Sequence, residues 1–168
     1  MPVESSQPSD RAAILAAARS VAVFSEEEVN TVEELFEGYL ESPAASGYNF
    51  LSYREGEAIL GFACWGPTPL SKGAIDLYWI ATSAEAQGKG VARALFDAVV
   101  EAARAAGRWL MVIWTSDRPE YEAARRFYQR MGCALAVQLA DFYDRGEDLC
   151  VFTLRMDAPT AQNRSKFA

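Results

Sequence analysis

The residues with most chemical potential lie in one stretch, Asp76–Leu95, DLYWIATSAEAQGKGVARAL. An apolar, strand-like run leads into a polar turn, then Gln87-Gly88-Lys89-Gly90, and Val91-Ala92 opens a helical pattern without a break. Gly88 and Gly90 allow a tight backbone turn over Gln87–Ala92, so that successive N–H groups gather at the positive end of the next helix. A turn of this kind holds anions, phosphate above all. A strand-to-helix turn with glycines for geometry alone is the plainer alternative, and on the glycines by themselves it is favoured. No Ser or Thr follows a Gly-Lys pair there, which argues against a nucleotide P-loop.

What is missing narrows the chemistry further. The chain has no histidine, so Ser–His and Cys–His nucleophilic mechanisms and histidine metal sites are excluded. Cys64, Cys133 and Cys150 are odd in number and far apart, with no CxxC. They read as small buried apolar residues in a reducing compartment, and no metal is expected. Lys and Arg number 16 against 23 Asp and Glu, a net charge of −7. That balance suits a cationic small molecule better than a nucleic-acid backbone, whose binding rests on Lys and Arg.

The elements that must position the glycine loop follow from apolar spacing. A chain of 168 residues, 51% of them hydrophobic, forms one domain with a full core. Val3–Ser6 is a short strand, and Pro8-Ser9-Asp10 turns and caps a helix over Arg11–Arg19 with Ile14 and Leu15 inward. The apolar run Ala12–Phe24 is broken by Arg19 and falls short of the ~20 residues a bilayer needs. A signal peptide is conceivable there, but a cytoplasmic first helix fits its helical spacing better. Ser25 with Glu28 three residues on is a capping box. Behind it Val29, Val32, Leu35, Phe36, Tyr39 and Leu40 recur at helical spacing, leaving Glu33, Glu34, Glu37 and Glu41 to solvent.

Tyr48–Arg54 and Ala58–Trp65 form a hairpin, and Ala74–Thr82, apolar on both faces, is a central strand. Val91, Leu95, Val99 and Ala102 make the stripe of a helix that Gly107 ends. Leu110–Thr115 is another strand. The next helix carries Tyr121, Ala124, Tyr128 and Met131 on one face and closes at Gly132. Ala134–Leu139 and Leu149–Met156 are final strands joined by a loop over Ala140–Asp148. The expected architecture is a single-domain α/β fold on one mixed sheet, in the order β-α-α-β-β-β-α-β-α-β-β, over residues 1–157. Two crossover helices imply parallel neighbours in the middle, and residues 158–168 form a polar tail.

These residues resemble the GNAT superfamily of N-acetyltransferases, and in particular its bacterial small-molecule members. The family's acetyl-CoA motif, Gln/Arg-x-x-Gly-x-Gly/Ala after the central strand, is met by Gln87-Gly88-Lys89-Gly90-Val91-Ala92. A second motif, Ala-x-x-Phe/Leu-Tyr-x-x-x-Gly-Phe, is met by Ala124–Gly132, with Cys133 replacing the last phenylalanine. Asp141-Phe142-Tyr143 with Gly146-Glu147-Asp148 is similar to the last hairpin of some small-molecule members. Element order matches from end to end.

The resemblance implies an acetyl-CoA-dependent enzyme acting on a primary amine by direct transfer in a ternary complex. Backbone groups of Ile80 and Thr82 would bond the pantetheine arm, the amides of Gln87–Ala92 the pyrophosphate, and Lys89 would add charge. Tyr128 matches the family's thiolate-protonating tyrosine, since its phenol carries a proton until about pH 10. Tyr121 stands where the family often has asparagine; nearly two turns from Tyr128, it would line the cofactor cleft from the same face. The general base is less defined: Asp76 is the first candidate, ahead of Asp141, Asp144, Glu34 and Glu37, and Tyr78 replaces a common glutamate. Trp65 and Tyr78 are the candidate acceptor-binding residues. Protein N-terminal or lysine acetylation, or non-catalytic acyl-CoA sensing, are the alternatives, and the exposed edges of the last strands make a homodimer plausible.

Overall fold

The computed structural model describes residues 2–157; the expected polar tail at 158–168 lies outside the described residues. Among these, no helix is long and apolar enough to cross a membrane. The chain forms two compact units. One holds the residues up to Pro67 together with Leu77–Ala102, and the other holds Thr68–Asp76 and the residues from Ala103 onward.

The first unit begins with β1 (Val3–Ser5), a 3-10 turn at Pro8–Asp10, α1 (Arg11–Ser20) and α2 (Glu26–Glu41). One further helical turn, α3 (Pro43–Ser46), separates α2 from β2 (Asn49–Glu55) and β3 (Ala58–Pro67). Ser25 caps α2 as expected: its hydroxyl accepts the Glu28 N–H at 3.2 Å, and Glu28 accepts the Ser25 N–H at 2.7 Å. Apolar residues at helical spacing, Ile14 and Leu15 on α1 and Val29, Val32 and Phe36 on α2, turn onto Phe50, Phe62 and Cys64 of the hairpin. The rings of Phe36 and Phe50 meet edge to face at 5.0 Å. β2 pairs antiparallel with both β1 and β3, Val3 facing Tyr53 and Asn49 facing Trp65. The strand β4 (Ala74–Thr82) contributes its last six residues to this unit, followed by α4 (Val91–Ala105) as far as Ala102.

The second unit takes the first three residues of β4, then β5 (Leu110–Ser116), α5 (Glu122–Arg130), β6 (Ala134–Asp144) and β7 (Glu147–Arg155). Ala74–Asp76 pair in parallel with Leu110–Val112, the neighbour relation the α4 crossover requires. The second crossover departs from expectation. β7 inserts antiparallel between β5 and β6, so α5 does not set β6 beside β5. Burial accounts for the order: β7 carries Leu149, Cys150 and Phe152, all buried, whereas every residue of β6 is exposed, as suits an edge. The final loop is also shorter than expected. β6 runs on to Asp144, and only Arg145-Gly146 separates it from β7.

Asp10 ties the start of the first unit together. It is 2% exposed, accepts the Gln7 N–H at 3.0 Å and pairs with the Arg54 guanidinium at 2.8 Å. Burial opposes its ionisation, but the Gln7 N–H, Arg54 and Ser52 together hold the carboxyl below its usual range. A carboxyl with a depressed folded-state pKa adds stability above its unfolded value, about 3.9, and loses it as pH falls through the folded value. Asp10→Asn is therefore expected to cost about 1–3 kcal/mol at neutral pH and to flatten the acid limb of Tm against pH. An acid limb of unchanged slope would place the acid sensitivity elsewhere.

Candidate functional site

In the first unit β4 is held by one face. Ala81 belongs to the core beneath α1 and α2, and Trp79 packs against it, edge to face with Phe24 at 5.0 Å. Strand alternation turns Tyr78, Ile80 and Thr82 to the other side, where Tyr78 is exposed and Ile80 and Thr82 are half-buried. The Thr82 carbonyl is 3.3 Å from the Ser20 hydroxyl at the end of α1, a hydroxyl that bonds the Ala17 carbonyl more closely at 2.7 Å.

Beyond Thr82 the chain makes a 3-10 turn at Ala84–Ala86 and reaches the glycine loop, where Gln87, Gly88, Lys89 and Gly90 are all exposed. Gly88 and Gly90 both adopt left-handed backbone, φ +76° and +78°, with open space where a Cβ would stand. Their requirement is conformational and not steric. The Gln87 and Lys89 N–H groups are already directed at the Ala84 and Ala86 carbonyls. The first bond into the helix is Ala94 N–H to Gly90 carbonyl at 3.0 Å. The N–H groups of Val91, Ala92 and Arg93 thus have no helical acceptor, and those of Gly88 and Gly90 have none among the described residues. The Ser83 hydroxyl, at the entrance to the turn, is likewise buried and unpartnered among them. Unspent donors at a helix start, on a loop with room above its glycines, fit a phosphate group.

The far end of β3 closes on its neighbours. A Cβ at Gly66 would stand 2.0 Å from the Gly47 carbonyl oxygen and 3.4 Å from the Tyr78 ring. Tyr48 meets Tyr78 edge to face at 5.5 Å. Trp65 is 7% exposed, and its indole N–H is buried without an acceptor among the described residues. Of the two expected acceptor-binding residues, Tyr78 is thus accessible and Trp65 sits within the fold. Tyr48 was not legible as their companion, because it opens a strand with nothing local to distinguish it.

In the second unit Tyr128 lies on α5, buried against Phe127 and Phe152 with ring centroids at 5.6 and 6.0 Å. Burial, with the Cys133 thiol beside it, pushes the phenol well above its usual value. The group keeps its proton throughout the working range and can act only as a donor. Tyr121 stands just outside the helix that carries Tyr128. It ends a 3-10 turn at Pro119–Tyr121 and occupies the N-cap of α5, because the proline starts a tighter turn before the helix proper. Asp76 is half-buried, and its Oδ2 accepts the Thr68 hydroxyl at 2.7 Å while the Thr68 N–H bonds the Ala74 carbonyl. The carboxylate therefore clasps the turn that leads into β4.

Three of the other carboxylates considered are engaged. Asp141 accepts the Gly146 N–H at 2.6 Å and Asp144 the Arg145 N–H at 2.7 Å. Glu37 pairs with Arg11 at 2.6 Å. Among the described residues no cluster of acids and cysteines could hold a metal.

Comparison with known proteins bears on these observations. The model of the Acetyltransferase (GNAT) family matches residues 14–133. A crystal structure assigned to that family, from Desulfovibrio desulfuricans, superposes with TM-score 0.89 at 35% identity, covering 92% of this chain and 98% of that one. The chain belongs to the GNAT acetyltransferase family. The enzyme class and the cofactor, acetyl-CoA, follow from that membership.

More distant structures share the fold of this GNAT acetyltransferase. One from Salmonella typhimurium, solved with its cofactor acetyl-CoA, has TM-score 0.71 at 19% identity, covering 97% of this chain and 98% of that one. The ribosomal-protein-S18-alanine N-acetyltransferase of Escherichia coli has TM-score 0.73 at 18% identity and covers 94% of each. No curated protein matches the chain in sequence.

Cys133 gives this acetyltransferase a measurable alkaline response. Burial pushes its thiol up to about 12, against about 8.5 for a free cysteine. A raised folded-state pKa contributes stability below the unfolded value and loses it as pH climbs toward the folded one. Cys133→Ala is expected to reduce the fall of Tm between about pH 8.5 and 11, although Cys64 and Cys150 are raised too. Parallel Tm profiles for the two proteins would exclude Cys133 as a contributor.

Proposed function

We propose that the enzyme moves the acetyl group of acetyl-CoA to a primary amine of a small molecule, by direct transfer in a ternary complex. The observation that carries this reading is the loop at the end of β4. Two left-handed glycines leave N–H groups unspent at the start of α4, as a pyrophosphate requires. Gly88, Gly90, Val91 and Ala92 would hold it, with the Ser83 hydroxyl and Lys89 beside them, and Ile80 and Thr82 would bond the pantetheine arm as an added strand does. Acetyl-CoA supplies an acetyl group activated as a thioester.

The chain's own residues then divide the proton traffic. Tyr128 holds a proton at Oη that burial keeps in place, and donates it toward the sulfur that leaves. Asp76 takes the proton of the acceptor ammonium, held for that purpose by Thr68. Tyr78, Tyr48 and the indole N–H of Trp65 contact the acceptor, with Tyr121 lining the cofactor side. The closure of Gly47 onto Gly66 supports a compact acceptor over an extended peptide, and a net charge of −7 favours a cation.

Four measurements test these assignments. Acetyl-CoA at about 100-fold over its Kd is expected to raise Tm by roughly 5–10 °C; no shift would remove the cofactor assignment. Tyr128→Phe is expected to lower kcat by roughly 10²–10⁴-fold while cofactor Kd stays within a few-fold, and unchanged turnover would remove its role. Release of free CoA across a panel of small amines and peptides decides the acceptor. Preference for peptides would overturn the small-molecule reading, and CoA release with none of them would favour an acyl-CoA sensor. With the best amine in hand, Asp76→Asn should lower kcat by roughly 10²–10⁴-fold while cofactor Kd stays within a few-fold, and unchanged turnover would leave Asp76 only its contact with Thr68.

A further inference from the structure

The hairpin of the first unit slips its register beside the exit of β4. Tyr53 faces Gly61 and Arg54 faces Ile59, so Leu60 is an extra residue on β3 and stands in a bulge. A bulged residue is released from its own ladder, and its backbone groups can be turned elsewhere. Here the Leu60 carbonyl accepts the Ser83 N–H at 2.9 Å. Ser83 is the first residue beyond β4, on the connection to α4. The bulge therefore pins the chain where it leaves the strand.

Gly61, the next residue, is buried and has no room for a side chain. A Cβ there would stand 2.7 Å from the Ala81 carbonyl oxygen and 3.1 Å from both Thr82 Cγ2 and Val91 Cγ1. These neighbours lie at the end of β4 and the start of α4, on either side of the connection that holds Gly88 and Gly90. The carbonyl is backbone, so a methyl group enters only if one strand moves against the other. β3 has no slack to give, because Phe62, Ala63 and Cys64 are each 0% exposed and close-packed interiors transmit such strain. Gly61 thus serves close approach, not backbone freedom.

We infer, on the reading that the amides from Gly88 to Ala92 hold pyrophosphate and Thr82 the pantetheine arm, that Gly61 is a positioning residue for acetyl-CoA. With the Leu60 bulge beside it, Gly61 sets the spacing between the end of β4 and the first turn of α4. One ligand reaches both segments, so their separation matters as much as their composition. Hydrogen bonds from N–H groups to a phosphate are short and weaken as they lose alignment. A displacement at Gly61 is passed to both segments, because it lies against both. The loop would then keep its left-handed turns and present its donors in the wrong place. Gly88 and Gly90 give the cradle its shape, and Gly61 gives it its position.

The test is acetyl-CoA binding by calorimetry on the full chain, joined to steady-state kinetics with an amine the enzyme acetylates. Gly61→Ala is expected to raise Kd and KM for acetyl-CoA by roughly 10–100-fold, the loss of about one charge-assisted hydrogen bond. At saturating acetyl-CoA, kcat and the KM of the amine are expected to stay within about threefold. Val32→Ala, which opens space in the core at a residue 0% exposed, is the control: it lowers Tm and leaves the Kd for acetyl-CoA unchanged. Adding Val91→Ala to Gly61→Ala removes one crowding methyl group and is expected to recover affinity at least about threefold. If Gly61→Ala does not fold, Val91→Ala alone supplies the test, because a gap over Gly61 unseats the helix start and weakens acetyl-CoA by about 3–10-fold. Gly88→Ala separates the two readings, since a side chain strains its left-handed turn. Weak binding by Gly88→Ala with wild-type binding by Gly61→Ala overturns the role of Gly61 and leaves the cradle standing. Wild-type binding by Gly88→Ala removes the cradle, and the role of Gly61 with it. Equal losses of affinity in Gly61→Ala and Val32→Ala also overturn it, because Gly61 then acts through stability alone.

Discussion

One constraint governs the first unit: the chain must leave β4 with one side of the strand already committed and reverse into α4 within the short connection from Ser83 to Gly90. Trp79 and Ala81 are held in the core with α1 and α2, so β4 cannot rotate to ease the exit. The reversal has to occur in the backbone between Ser83 and Val91. Left-handed φ at positions 88 and 90, alternating with ordinary residues, achieves it. That same alternation diverts the Gln87 and Lys89 N–H groups inward while those of Gly88 and Gly90 stay unspent. The anion site is in this sense a by-product of the geometry that joins a fixed strand to a helix, which is why glycines that look merely structural have a chemical use.

The close approach at Gly66 is a second consequence of fixed strands. With β2 and β3 in register from Asn49–Trp65 onward, the link from α3 into β2 must pass directly over the end of β3. The Gly47 carbonyl occupies the place of a side chain there. Tyr48 then has nowhere to go but against Tyr78. Packing thus builds the aromatic end of the unit from two strands and a helical turn that lie apart in sequence.

Local signals made most of the elements legible, and the failures have local causes. Ser25 with Glu28 marked the start of α2. Apolar spacing picked out Val29, Val32 and Phe36 of α2 and Val91, Leu95 and Val99 of α4, all buried, while Leu35, Tyr39, Leu40 and Ala102 from the same stripes are half-buried. The apolar run of β4, Ala74–Thr82, ended where the structure ends it. The last hairpin was misjudged because its order depends on side chains that mimic backbone partners. Asp148 accepts the Asp141 N–H and the Gln138 amide at 3.0 and 2.8 Å, and its own N–H is held by Asp117. These bonds carry β6 through a left-handed aspartate that, by sequence, belongs in a loop. Tyr121 stands outside α5 for a local reason: Pro119 opens a 3-10 turn that ends at Tyr121, and the helix proper starts at Glu122.

Proton chemistry in a chain without histidine has to be carried by groups that ordinarily titrate far from neutrality. A phenol and a thiol in apolar surroundings are driven further away, because burial disfavours the charged form of each. Tyr128 and Cys133, adjacent on and just after α5, are both raised by burial, so neither can accept a proton near neutral pH. Burial keeps the Tyr128 phenol protonated near neutral pH and so disqualifies it as a base. An ammonium acceptor, with an ordinary pKa near 10 for a lysine-like amine, must therefore be deprotonated by a carboxylate or by water. Asp141 and Asp144 already accept N–H groups of the turn after β6, and Glu37 is paired with Arg11 of α1. Asp76 is held by a single hydroxyl on the loop it clasps, and a hydroxyl can turn away without leaving a charge unpaired. That difference in what each carboxylate would have to give up is the physical reason to rank Asp76 first.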